Sequence, residues 1–201
     1  MDWLPRLKIY RSTLESAKLT PTRRGILAHL CLEHLRLSAP SRQASLPPLP
    51  PLNDEARDAI LLDVRRAVRQ GMRLFPMPLE EPEAVEQDMA DCLFWFACLP
   101  EASVWLARGR REQGIADAAG RMHRVDLLVD PALPEQNTTS IPLHAIDYKT
   151  GRFPEAEIAR EHHNQVRRYM RLLREAKARP VCGSLVYLDA REVIAVNLEE
   201  A

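Results

Sequence analysis

The chain has 201 residues, 46% of them hydrophobic, which is enough to form the core of one domain with insertions. Its 28 basic residues balance its 28 acidic ones, so the net charge weighs against a protein that coats nucleic acid nonspecifically. An enzyme that binds nucleic acid through a local basic cleft remains compatible with this composition.

The four cysteines form neither a CxxC pair nor a zinc motif with histidine. Three of them lie in apolar runs, which indicates buried free thiols and favours a reducing, cytoplasmic compartment. We expect no signal peptide, and no membrane span because the longest apolar stretch, 93–99, is too short. No P-loop is present, so the sequence predicts no ATP hydrolysis of the Walker type.

The first hundred residues are predicted to be helical. Apolar spacing and capping residues predict helices over 23–37, about 54–72 and 83–99. The segment 38–52 is rich in proline and serine, which predicts an extended connector or, alternatively, a proline-rich ligand for a partner.

After residue 100 the pattern changes to short alternating segments, with a polar hairpin loop predicted over 131–140 and a long helix over 155–178. Strands are predicted over 103–107, 110–116, 121–130, 141–149, 185–188 and 193–198. The order of strands, helix and strands predicts an α/β domain around a mixed sheet. We therefore expect residues 1–201 to form a single domain, with a helical part over 1–100 and a core over 101–201.

Asp147 and Lys149 end the strand predicted over 141–149, and their side chains project from one face because they are two residues apart. Such a pair is either a surface ion pair of little energetic value or a catalytic pair. In the second case the carboxylate would bind a hard cation such as magnesium, and the ammonium would stabilise charge on the reacting oxygens.

Asp126 lies among branched apolar residues on the preceding predicted strand. A carboxylate in that setting is costly unless it is paired or bound to metal. Antiparallel pairing would bring Asp126 opposite Asp147, where two carboxylates on one ion could activate water. The spacing alone leaves the structural and the catalytic interpretation equally open.

Three segments follow one another in a distinctive order: Gly-x-x-x-x-x-Asp over 120–126, Asp-Tyr-Lys-Thr-Gly over 147–151, and Gln-x-x-x-Tyr over 165–169. Together with a Gly-x-x-x-His segment over 25–29, they resemble the PD-(D/E)XK nuclease superfamily, in particular the RecB/AddA-type nuclease domain at the C-terminus of helicase-nucleases. The resemblance covers about residues 23–198.

This resemblance implies a restriction-endonuclease-like fold, with a mixed central sheet flanked by helices and an N-terminal helical part. It implies a magnesium-dependent DNA nuclease, with manganese as a possible substitute, of exonuclease type. DNA end processing in repair and recombination, beside a helicase domain or subunit, is the implied role. No membrane partner is expected.

The resemblance also implies the metal ligands, namely His29, Asp126 and Asp147, with Glu112 as a further candidate. His29 lies on an apolar helix face, where a histidine is otherwise a core residue. Glu112 could instead pair with Arg110 or Arg111, or be solvated.

Lys149 is implied to stabilise the developing charge, and Gln165 and Tyr169 to position the substrate or orient Lys149. The last two are four residues apart, so they share a helix face. The alternative for Tyr169 is a plain core position.

One departure concerns the metal ligand after Gly120. Many family members carry an aspartate three residues after this glycine, where the present chain has His123. We favour Asp126 as the ligand because a carboxylate suits magnesium better. If His123 occupies the position, the site would be impaired or prefer manganese. The alternatives to a nuclease are therefore a catalytically inactive nuclease-like module that binds DNA or scaffolds a helicase, and a helical protein-interaction module.

Overall fold

The computed structural model describes residues 19–38, 52–131, 140–151 and 153–198. These residues divide into two compact units, the first with 19–38 and 52–98 and the second with 99–198. The division lies beside the boundary expected near residue 100. The predicted connector and the predicted loop over 131–140 lie almost wholly outside the described residues.

The first unit consists of helices α1 (Pro21–His34), α2 (Asp54–Leu74) and α3 (Pro82–Ala97). Two of them begin at side-chain caps, because Thr20 accepts a hydrogen bond from the backbone of α1 and Asn53 accepts one from that of α2. All three predicted helices are therefore present, with ends displaced by up to three residues.

The core of this unit leaves no room for a side chain at Gly71 in α2, since an added Cβ would lie 2.5 Å from the sulfur of Cys31 in α1. The buried carboxylate of Asp63 accepts hydrogen bonds from the backbone and hydroxyl of Ser38 at 2.6 and 2.7 Å. This buried acid is satisfied locally and is not available for a site. Among the described helices of the chain, none is by itself long and apolar enough to cross a membrane.

The second unit is a five-stranded mixed sheet in the order β1-β2-β3-β4-β5, in which β3 and β4 are parallel and the other neighbours antiparallel. The strands are β1 (Gly109–Ala116), β2 (Met122–Val129), β3 (Leu143–Lys149), β4 (Val181–Tyr187) and β5 (Glu192–Val196). Helix α4 (Ala102–Arg108) precedes the sheet, and α5 (Ala156–Lys177) connects the two parallel strands. The predicted α/β fold with a mixed sheet and flanking helices is confirmed.

The strand predicted over 103–107 is wrong, because this segment forms helix α4. Its valine and tryptophan favour a strand locally. The buried residues Ala102, Trp105 and Leu106 instead follow helical spacing, and packing of that face overrides the local preference. Gly109 begins β1 in an extended conformation and makes no turn. Glycine is required at position 109 because a Cβ there would lie 2.3 Å from the side chain of Leu127.

Side chains of β3 alternate between the two faces of the sheet. Leu143 and Ala145 pack in one apolar cluster with Tyr169 of α5. His144 faces the other side, where its ring meets Trp105 of α4 edge-on at 5.2 Å between centroids. Asp147 and Lys149 continue the alternation on the α5 side.

Strand β4 begins at Val181, four residues before the predicted start at 185. The sequence Cys-Gly-Ser at 182–184 has low strand propensity, but Gly183 is needed where α5 crosses the sheet. A Cβ at Gly183 would lie 2.5 Å from Val166 and 2.7 Å from Met170. Close packing of α5 therefore depends on this glycine.

We expect Gly183→Ala to lower the free energy of unfolding by about 1–3 kcal/mol, because the added methyl group overpacks the contact with α5. Gly114→Ala is the matched control, since its Cβ would meet only the end of the flexible, exposed Met122. Urea denaturation measures both. Equal destabilisation by the two variants would contradict this explanation.

His144 generates a prediction about pH. Burial lowers the pKa of His144 to about 4 from its ordinary 6.5, and its Nε2 lies 2.9 Å from the hydroxyl of Ser184. The folded state therefore takes up this proton at lower pH than the unfolded state, so stability falls as pH decreases from about 6.5 towards 4. We expect about 2 kcal/mol of this loss at pH 5, and a smaller loss in His144→Gln. A pH series of urea melts tests this, and identical slopes in the two proteins would refute it.

Candidate active site

Strands β2 and β3 separate halfway along their length. They pair over three residue pairs, of which the last is Leu127 with Ile146. Beyond it, β2 continues beside β1 and β3 beside β4. At the point of separation Oδ2 of Asp126 accepts a hydrogen bond from the backbone N–H of Tyr148 at 2.8 Å. The Asp126 side chain thus satisfies a backbone donor that the interrupted ladder would leave unpaired.

Asp147 and Lys149 form the centre of the site, as the spacing predicts. The side chain of Asp147 is 1% exposed, and Nζ of Lys149 lies 2.6 Å from its Oδ2. Within the described residues this oxygen has the ion pair with Lys149 and no further hydrogen-bond donor. The burial of Asp147 excludes a surface ion pair.

Helix α5 supplies the groups that fix Lys149. Oε1 of Gln165 accepts a hydrogen bond from Nζ of Lys149 at 2.9 Å, and Nε2 of Gln165 donates to the hydroxyl of Tyr169 at 2.6 Å. The two helix residues therefore share a face, and Gln165 links the lysine to the phenol. Of the two expected roles for Gln165, orientation of Lys149 is the one visible in these contacts.

The charges of Asp126 on β2 and Asp147 on β3 both act on Tyr169. Burial raises the pKa of Tyr169, the hydrogen bond from Gln165 lowers it, and the negative charges of Asp147 and Asp126 raise it further. Tyr169 also belongs to the apolar cluster below the helix, so its ring is core and its hydroxyl is part of the site. The structure thus brings together the side chains of Asp126, Asp147, Lys149, Gln165 and Tyr169.

Glu112 lies on β1 at the position that faces Asp126, between the register pairs of Arg111 and Gln113. Its backbone is left-handed at φ 51°, which is rare for a residue other than glycine. A carboxylate oxygen of Glu112 lies within 4.8 Å of one of Asp126. Glu112 also forms an ion pair with Arg124, at 2.6 Å between Oε2 and Nε.

His123 lies away from this group. Its Nε2 is 3.2 Å from Oδ2 of Asp117, in the turn between β1 and β2. A hydrogen bond from the backbone of Arg121 is the main cause that lowers the pKa of Asp117 to about 2. His123 therefore helps to order a turn, and Asp126 is the residue of this strand that lies beside Tyr148. His29 is on α1 of the first unit, and its assignment as a ligand stays a prediction from the sequence.

The acidic groups of the second unit fit a hard divalent cation. Two oxygens bound to one magnesium ion, each at ~2.1 Å, lie no more than about 4.2 Å apart. A carboxylate oxygen of Glu112 lies within 4.8 Å of one of Asp126, which is compatible with a shared cation. Asp147, whose carboxylate is ion-paired with Lys149, does not supply one of the ligand atoms that lie this close together in the described part of the chain.

His162 and Tyr187 adjoin the site and were not predicted as members of it. Nδ1 of His162 lies 3.0 Å from the hydroxyl of Tyr187, which pairs in register with Lys149. Burial lowers the pKa of His162 and the charge of Lys149 lowers it further, whereas Asp147 raises it. The spacing of three residues from Gln165 on one helix is the sequence signal that places His162 on the same face.

Asp126 generates a prediction that separates its structural role from its charge. Asp126→Asn retains an oxygen that can accept the hydrogen bond from Tyr148, so we expect stability close to wild type. Asp126→Ala leaves that N–H unpaired and should cost about 1–3 kcal/mol. Urea denaturation without divalent metal measures both. If the alanine variant were as stable as the asparagine variant, the hydrogen bond would have no structural importance.

The chain is similar to one known protein family. A search among curated proteins gave no significant match to the chain. The family description that matches it is the PD-(D/E)XK nuclease superfamily, whose members are generally metal-dependent, and the match extends over residues 5–200. Matched across nearly its whole length, the chain belongs to the PD-(D/E)XK nuclease superfamily.

Proposed function

We propose that this protein is a metal-dependent deoxyribonuclease that hydrolyses phosphodiester bonds at the site around Asp147 and Lys149. The observation that carries the proposal is a carboxylate that is 1% exposed and whose Oδ2 lies 2.6 Å from a lysine ammonium. Burying such a pair costs free energy of desolvation, so a buried acid and lysine are expected where charge serves a reaction rather than stability. The superfamily assignment supports the same chemistry.

Asp126 and Asp147 would hold the cation, with Glu112 close enough to Asp126 to contribute. When bound, magnesium, or manganese in its place, would supply an activated water molecule and neutralise charge on the phosphate. The protein's own contribution is to hold the two proposed metal ligands in place before the metal binds. Tyr148 fixes Asp126 through its backbone N–H, and β3 places Asp147 on the same side as Lys149.

Lys149 would stabilise the charge that develops on the phosphate oxygens. Its ammonium has three hydrogens, and Gln165 and Asp147 account for the contacts of two of them. Its side chain is 19% exposed, whereas that of Asp147 is 1% exposed. Gln165 is a positioning residue that limits the conformations of Lys149, and Tyr169 orients the amide of Gln165 in turn.

We further propose that the protein is related to the RecB/AddA-type nucleases and acts from DNA ends in repair and recombination, beside a helicase domain or subunit. The order of the motifs from His29 to Tyr169 supports this finer assignment. Cleavage of linear single-stranded DNA, compared with a covalently closed circle of the same sequence, tests dependence on ends. Equal rates on both substrates would exclude an exonuclease.

The central prediction concerns Lys149. We expect wild-type protein to cleave DNA with magnesium or manganese and not with EDTA. Lys149→Ala should lower the cleavage rate at least about 100-fold, by analogy with removal of one preorganised donor from a transition state. Lys177→Ala, which removes an exposed lysine at the end of α5, should cleave like wild type.

Loss of Lys149 also leaves a buried aspartate without its cation, so reduced folding must be separated from lost chemistry. Removing one partner of a buried pair is strongly destabilising, whereas removing both is much less so. The double variant Asp147→Asn/Lys149→Met should therefore melt closer to wild type than Lys149→Ala and still be inactive. Absence of metal-dependent cleavage by folded wild-type protein would refute the nuclease proposal and favour a DNA-binding module.

A further inference from the structure

An exposed aromatic ring lies at the border of the proposed active site. Phe153 follows strand β3 in the chain, and its side chain is 49% exposed. Its ring lies 4.9 Å from that of Tyr187, at an interplanar angle of 48°. Tyr187 itself is 1% exposed, so the exposed ring of Phe153 packs against a buried ring.

Tyr187 connects Phe153 to β3, the strand that carries Lys149. Tyr187 pairs in register with Lys149, and the next residue, Leu188, donates its N–H to the carbonyl of Lys149 at 2.9 Å. The hydroxyl of Tyr187 lies 3.0 Å from Nδ1 of His162, and the two ring centroids are 5.8 Å apart at an interplanar angle of 39°. Phe153 is thus the outermost member of an aromatic group that begins beside Lys149.

The turn before Phe153 is also fixed. Gly151 has a left-handed backbone at φ 96°, which favours glycine, and its N–H donates a hydrogen bond to the carboxylate of Asp189. The turn redirects the chain after β3, and Phe153 then packs across Tyr187 of β4. A ring that is already packed against a buried neighbour loses little conformational entropy when it binds a ligand.

A single exposed apolar side chain is ordinarily unremarkable on a protein surface. Phe153 differs because one face of its ring is supported by a buried tyrosine while half of its surface faces solvent, four residues from the proposed catalytic lysine. Stacking of a nucleobase on an aromatic ring is the interaction that such a surface offers in a site for nucleic acid. Bases within a duplex have their faces covered by neighbours, so only an unpaired base can use it.

We propose that Phe153 is a stacking platform for an unpaired base next to the scissile phosphate, which makes single-stranded DNA the preferred substrate class of this enzyme. The inference rests on the proposed nuclease function and adds a residue that selects the substrate. Phe153 binds the base, Tyr187 supports Phe153, and Lys149 acts on the neighbouring phosphate.

The test measures binding of the full chain to a fluorescent single-stranded deoxyoligonucleotide and to a blunt-ended hairpin duplex, with calcium in place of magnesium. Wild type should bind the single strand more tightly. Phe153→Ala should raise the Kd for the single strand about tenfold, within the range for loss of one base stack. The Kd for the duplex should not change.

Two further substitutions separate stacking from general hydrophobic contact. Phe153→Trp retains a ring and should bind like wild type, whereas Phe153→Leu retains apolar volume without a ring and should bind like the alanine variant. Val193→Ala removes an exposed apolar side chain from β5 and should leave both Kd values unchanged. Thermal melts verify that all variants are folded.

Failure of this inference is distinguishable from failure of the nuclease proposal. Equal wild-type affinity for single strand and duplex, or indistinguishable leucine and tryptophan variants, would overturn the role of Phe153 even if the protein cleaves DNA. Conversely, selective binding that depends on a ring at position 153 would support the platform even if no DNA is cleaved with any metal.

Discussion

The hydrogen bond from the backbone of Tyr148 to the carboxylate of Asp126 is the contact on which the site depends. It lies where β2 and β3 stop pairing, and it replaces the ladder bond that their separation removes. Without an acceptor at this point the separation would leave a buried donor unpaired, and continuous pairing would be favoured instead. The Asp126 side chain therefore stabilises the opening in the sheet at the place where the site lies.

Beside this opening, a chain of contacts connects the buried carboxylate of Asp147 to the apolar core. Asp147 has Lys149, Lys149 has Gln165, and Gln165 has Tyr169, whose ring is anchored in the apolar core. Each group restricts the next, so the ammonium needs little reorganisation when charge develops near it. The cost of this arrangement is the desolvation of the buried Asp147 carboxylate and of the Lys149 ammonium, which a bound cation or substrate would help to offset.

Much of the fold follows from local pattern. The long helix α5 was predicted within one residue at each end, because its apolar positions repeat over six turns. Segment 103–107 was assigned wrongly, because a short run with valine and tryptophan is compatible with either structure and only the buried face decides. Strand β4 was predicted too short because Gly183 appears unsuited to a strand, yet the approach of α5 requires it.

The sequence by itself determined the type of sheet, the pairing of Asp147 with Lys149 on one face, and the common face of Gln165 and Tyr169. These follow from the fixed periods of strands and helices, which local spacing specifies. Only the tertiary structure showed that His123 contacts Asp117 and that Asp126 lies at the strand separation, whereas the choice of Asp126 as the metal ligand stays a prediction. It alone brought Phe153, Tyr187 and His162 beside Lys149. Contacts between distant segments depend on strand register and helix packing, and neither is encoded in the spacing of any one segment.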